Sequence, residues 1–170
     1  MTAYSPEAWE TFFLGNAGAA AALAGLVFVG VSINVETIVA SRRLTGRALE
    51  AIVVLGSVLV YSLLVLVPDI TTTGLGIALA VVGVVTWLIV SGIERRSVPL
   101  LGGQRNPDAP PGSTAAVIAF GQAATLPVVI AGVTLLADGG GGLYWLVAAV
   151  IFSYVTALGN AWVLLIEIRR

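Results

Sequence analysis

Long apolar runs, each closed by charge, proline or glycine, take up nearly the whole chain. The first extends from Thr11 to about Ala40 and follows Ser5-Pro6-Glu7, which offers an N-cap, a proline for the first helical position and an early acid. It exceeds the ~20 residues that cross a bilayer core, so this helix must tilt, bend or protrude. A second run covers 49–67 and stops before Pro68, since proline disfavours helical geometry in the residue ahead of it. The third covers 70–93 and ends at Glu94, Arg95 and Arg96. Residues 97–113, rich in Pro and Gly with Arg105 and Asp108, form the one sizeable loop. A fourth run covers 114–137, where Pro127 removes a backbone donor and clashes with the carbonyl of Ala123, predicting a kink. After the turn Gly139 to Gly142, the fifth covers 143–168 and closes on Arg169 and Arg170. The pattern predicts an all-α fold: a polytopic membrane helix bundle of five transmembrane helices, one domain over 1–170.

Composition sharpens this reading. Apolar residues make up 58% of the chain and charged residues 10%, against roughly 45–50% and about 25% in soluble domains, so lipid is the main solvent and no extramembrane domain fits. A cleaved signal peptide is not expected, because no basic segment precedes the first run, which is also too long. Positive charge marks cytoplasmic flanks, and every cation is arginine. Arg42, Arg43 and Arg47 follow the first run, Arg95, Arg96 and Arg105 the third, Arg169 and Arg170 the fifth. Glu7, Glu10, Asp69 and Asp138 fall on the opposite side. Five crossings put all the arginines on one side, so the N-terminus is expected outside and the C-terminus inside, in the plasma (inner) membrane. The stretch from Trp9 to Asn34 resembles small bacterial membrane proteins, a likeness that implies no particular chemistry.

Polar side chains within spans are the candidate chemistry, because each is costly unless it faces protein or water. Asn16 and Asn34 lie on one face of the first span, about five turns apart at 3.6 residues per turn. Ser153, Thr156, Asn160 and Glu167 form one stripe on the fifth, and Gln122 and Thr125 stand a turn apart on the fourth. Topology places Asn34, Thr86, Gln122 and Asn160 at similar depth, within roughly 12 Å of the inner boundary at 1.5 Å per residue. Two readings stay open: a hydrated constriction whose amides replace water around an ion, or interhelical hydrogen bonds that fix packing. Glu36, one turn before the end of the first span and close to Arg42 and Arg43, reads as an interfacial ion pair or snorkelling acid. Glu10 reads as an outer anchor beside Trp9; Tyr61, Tyr144 and Trp145 suit an outer aromatic belt, Trp87 and Trp162 an inner one. No charged residue is expected in the middle of a span.

Small residues four apart mark helix contact faces: Ala17, Ala21 and Gly25; Gly74 with Ala78; Gly76 with Ala80; Ala119 with Ala123; and Ala149, Ser153, Ala157 and Ala161. Their abundance favours a homo-oligomer. Neither cysteine nor histidine nor lysine occurs, which removes thiolate and imidazole ligands, the histidine base and the Schiff-base amine. No metal or cofactor is expected, nucleic acid is not an expected partner, and no catalytic set is found; a lipid-modifying reaction run by Glu and Arg at the inner rim is the one enzymatic reading left. The functional expectation is a homo-oligomeric channel or passive permeation pathway lined by the polar stripes. The alternative is a non-catalytic accessory or scaffold subunit beside a membrane-protein partner.

Overall fold

The computed structural model describes residues 2–97 and 113–167. Two short 3-10 turns, Thr2–Tyr4 and Pro6–Trp9, lead into α1 (Glu10–Ile33), α2 (Val35–Ala40), α3 (Arg42–Val65), α4 (Thr72–Ser97), α5 (Ser113–Leu136) and α6 (Tyr144–Glu167). Five helices are long and apolar enough to cross a membrane, within 6–33, 42–65, 72–96, 115–136 and 144–164, the mark of an all-helical multi-pass membrane protein.

The first apolar run is two helices, not one. Ser32 Oγ donates to the Phe28 carbonyl at 2.8 Å and Asn34 Nδ2 to the Gly30 carbonyl at 3.1 Å. Such back-bonding competes with the helical ladder and bends it. Asn34 leaves helical geometry at φ −119° and ψ 24°, and the short α2 follows. Ser41 then caps α3, its Oγ accepting from the Leu44 amide at 3.4 Å. Thr45 Oγ1 ties the junction by donating to the Ile38 carbonyl at 2.8 Å. With that cap, α3 starts at Arg42 rather than near Leu49, and its first turns carry Arg42, Arg43, Arg47 and Glu50.

Helices α3, α4, α5 and α6 form a closed ring in which each packs on the next and α6 returns to α3; α1 lies outside it, mainly against α3. The exposed Leu14, Leu26, Phe28, Val29 and Ile33 give α1 a lipid-facing surface. The α4–α5 contact is the tightest. A methyl on Gly132 would sit 2.5 Å from the Ala80 nitrogen and 2.8 Å from the Gly76 carbonyl oxygen, and one on Gly83 2.8 Å from the Val129 nitrogen. Of the small pairs read from sequence, Gly76 with Ala80 is thus used within the chain's own bundle. Gly15, Gly18 and Gly25 on α1 have open space where a side chain would begin.

The described arginines and the turn aspartates lie at opposite ends. Arg42, Arg43, Arg95 and Arg96 lie at the start of α3 and the end of α4, here called the arginine end. Asp69 and Asp138 occupy the turns at the other, acidic end, both at positive φ (54° and 48°). The chain start is fastened there: the Leu143 amide donates to the Ala3 carbonyl at 2.9 Å and the Gly141 amide to the Tyr4 hydroxyl at 3.3 Å. Gly140, Gly141 and Gly142, at φ 91°, 112° and 53°, let the α5–α6 turn receive it. Residues 98–112 of the expected loop, with Arg105 and Asp108, and also Arg169, Arg170 and the side chain of Glu167, lie outside the described residues.

Candidate functional site

Two carboxylates, away from the middles of the spans, are buried inside the ring at its arginine end. Glu50 on α3 is 3% exposed and Glu94 on α4 is 7% exposed. Each is held by the same kind of chain. Arg47 Nη1 donates to Asn160 Oδ1 at 3.0 Å, and Asn160 Nδ2 donates to Glu50 Oε2 at 3.1 Å. Trp87 Nε1 donates to Gln122 Oε1 at 2.6 Å, and Gln122 Nε2 donates to Glu94 Oε2 at 2.8 Å and to Ser91 Oγ at 3.3 Å. Because guanidinium and indole are donors only, each amide must turn its oxygen to them and its NH2 to the carboxylate. Both amides are therefore orientation-locked.

The second oxygen of each carboxylate is free. Glu50 Oε1 and Glu94 Oε1 are buried and make no hydrogen bond with the described protein. Both converge on one point, the place where Gly121 of α5 would carry a Cβ: Glu50 Oε1 is 3.0 Å from it and Glu94 Oε1 touches it. Val90 Cγ1, 3.3 Å from the same point, closes one side. The absence of a side chain at Gly121 makes room for both carboxylate ends against α5. Two ionised carboxylates and the Arg47 guanidinium sum to one negative charge, and such a charge in a low-dielectric interior is expensive unless matched. A single positive charge, a proton or a monovalent cation, neutralises the cluster. No third Asp, Glu, His or Cys joins the pair among the described residues, which disfavours a divalent ion with its larger demand for charged oxygen ligands.

The residues singled out in the sequence distribute unevenly around this cluster. Gln122 and Asn160 are in it. Thr125 is buried directly above, its hydroxyl donating to the Gly121 carbonyl at 3.0 Å. Ser153 and Thr156 are buried further along α6, and Thr86 is buried on α4 about two turns from Glu94. Asn34 is not part of the layer, because it sits at the break after α1, outside the ring. Asn16 donates to the Phe12 carbonyl at 2.8 Å and receives the Tyr154 hydroxyl, which lies 3.1 Å from both its backbone and its side-chain oxygen. Glu10, Glu36, Arg42 and Arg43 are exposed. Tyr61, expected in the outer belt, is fully buried in the core, and the half-buried Trp87 is tied to the site through Gln122.

The apolar pattern, which begins only at Leu49, does not mark Glu50 as lying well inside a helix; Ser41, the N-cap, is the sequence signal for the earlier start. Glu94 was absorbed into a rim cluster with Arg95 and Arg96. Nothing in a single sequence signals Gly121, whose role depends on what faces it. Comparison of the chain with protein-family models, with characterised proteins and with solved structures finds no match in any of the three.

Proposed function

We propose that the protein is a small permeation protein for protons or monovalent cations, and that the ion is taken between Glu50 and Glu94 inside each subunit. The observation that carries this reading is the convergence of two buried, unpartnered carboxylate oxygens on Gly121. A packing role alone would favour apolar side chains at these positions, since polar groups left unpaired in an interior are destabilising. The reading keeps the channel class expected from the polar stripes but moves the pathway from a subunit interface into the ring. Asn160 and Gln122 act as positioning residues for the carboxylates. Homo-oligomerisation belongs to the same proposal, supported by the open glycines of α1, as does a plasma-membrane location with the arginine end facing the cytoplasm, supported by the separation of charge.

The accessory-subunit reading predicts a protein that moves no ion by itself. Purified protein in liposomes, assayed for proton, Na+ and K+ flux at matched protein density, separates the two. The wild type is expected to carry an ion, and Glu50→Gln and Glu94→Gln each to lower the rate by at least about a hundredfold, equivalent to ~2.7 kcal/mol of barrier. Glutamine keeps the shape and one acceptor oxygen, so the fold is retained. A silent wild type at all three ions contradicts the proposal and supports an accessory role.

A further inference from the structure

Beyond the carboxylates, the contact between α3 and α6 continues as a column of hydroxyls. On α3, Glu50, Ser57 and Tyr61 share one face, and Asn160, Thr156 and Ser153 share one face of α6. The Asn160 to Glu50 bond sets the register at one end. At the other, Tyr61 lies beside Ser153 and Tyr154. Glu50 and Tyr61 are about 16 Å apart along α3 at 1.5 Å per residue.

These hydroxyls are buried yet poorly used. Tyr61 and Ser153 are 0% exposed and Thr156 is 7% exposed. Thr156 Oγ1 makes no hydrogen bond with the described protein, and Tyr61 Oη and Ser153 Oγ have only each other close by, short of good hydrogen-bond geometry. Ser57 donates to the Val54 carbonyl at 2.7 Å, which leaves its oxygen free to accept. Buried polar groups are normally paired, and an orphan calls for a reason; here three fall on one seam. Thr156 and Asn160, with Arg47, also border an open groove of about 200 Å³ between α5 and α6, lined otherwise by apolar residues such as Phe120 and Val155. Beyond Tyr61, Tyr154 reaches Asn16 of α1. The fully buried Phe13, Leu143 and Leu146 lie between this group and the acidic end.

We propose that the α3–α6 seam is a proton path, joining the Glu50–Glu94 pair to the level of Tyr61 and Tyr154 through the hydroxyls of Thr156, Ser153 and Tyr61 and intervening water. A hydroxyl is donor and acceptor at once. Each oxygen takes a proton on a lone pair and releases its own to the next, so every hydroxyl keeps one proton but is left reversed and turns back before the next passage. The free oxygen of Glu50 takes the proton from the seam and releases it toward the arginine end, so one proton leaves for each that enters. Na+ and K+ cannot hop in this way, and the seam has no ring of carbonyls to replace their hydration shells. The inference rests on the carboxylate reading above and fixes the ion as the proton.

The full chain in liposomes with a trapped pH dye, driven by a K+ diffusion potential and with Na+ replaced by choline, provides the test. The wild type is expected to pass protons, more slowly in D2O. Tyr61→Phe and Ser153→Ala, which retain both carboxylates, are each expected to lower the rate at least about tenfold, the effect of ~1.4 kcal/mol of barrier. Should either variant lose its monodisperse profile in detergent, the other variant and the wild-type D2O effect decide. Wild-type proton rates in both variants, or a wild-type flux that requires Na+ and leaves the internal pH unchanged, would overturn the path while leaving the carboxylate site standing. If instead the glutamine variants at Glu50 and Glu94 conduct normally, it is the carboxylate reading that falls.

Discussion

Two seams of the same four-helix ring are built on opposite principles. Over the acidic half of the α4–α5 contact, Gly76, Ala80, Gly83 and Gly132 bring backbones into direct contact, while nearer the arginine end Gln122 bonds Trp87, Ser91 and Glu94 across it. Between α3 and α6, polar stripes meet, Asn160 bonds Glu50, and hydroxyls lie buried without partners. Lipid gives little hydrophobic force between helices, so close packing of small residues is the ordinary way to hold a membrane bundle together. The glycine-lined stretch of α4–α5 follows that rule and needs no ligand to explain it. The second departs from it, and the departure locates function: polar atoms remain where packing would be better served without them.

The contrast predicts a graded series of effects. Gly132→Leu should be the most damaging, because the new side chain meets backbone atoms of Ala80 and Gly76 that cannot rotate away. Its cost should exceed the about 1–3 kcal/mol typical of overpacking, read as loss of a monodisperse peak in detergent. A well-folded Gly132→Leu protein would show that the α4–α5 contact is looser than described. Asn160→Leu comes next. Taken from sequence alone, this change should alter flux and spare assembly if the stripe faces water, or weaken assembly if it packs. Because Asn160 links Arg47 to Glu50, the structure predicts both at once: lost flux and about 1–3 kcal/mol of stability from the stranded partners, measured by thermal unfolding in detergent. Unchanged flux with unchanged melting would remove Asn160 from the site.

What could be read in the sequence follows a physical division. Apolar run length and charge bias are local properties, and they yielded five membrane-length helices. Periodicity is local too, and it put Ser153, Thr156 and Asn160 on one face of a helix, where the structure finds them buried. The site itself required knowing which faces meet. Gln122 was visible as a polar residue in a span, but its tie to Glu94 joins residues far apart in sequence and depends on antiparallel α4 and α5. The partner stripe on α3, Glu50, Ser57 and Tyr61, was hidden by a helix start placed too late and by reading Tyr61 as a belt residue. Asn34 failed in the opposite way: its depth matched the layer, but α1 lies outside the ring.

Gly121→Ala is the smallest change and the most pointed. It removes no carboxylate and no hydrogen-bond partner, and it adds one methyl at the point where the free oxygens of Glu50 and Glu94 converge. The clash is with the ends of side chains that can turn away, so the fold should persist with less than about 1–3 kcal/mol of destabilisation. Ion flux through liposomes containing Gly121→Ala is therefore the measurement that bears most directly on the account. Loss of most of the flux from a protein that remains folded and monodisperse is the result predicted if the ion sits between the two carboxylates; flux equal to wild type would mean that the gap over Gly121 is not where the ion is held.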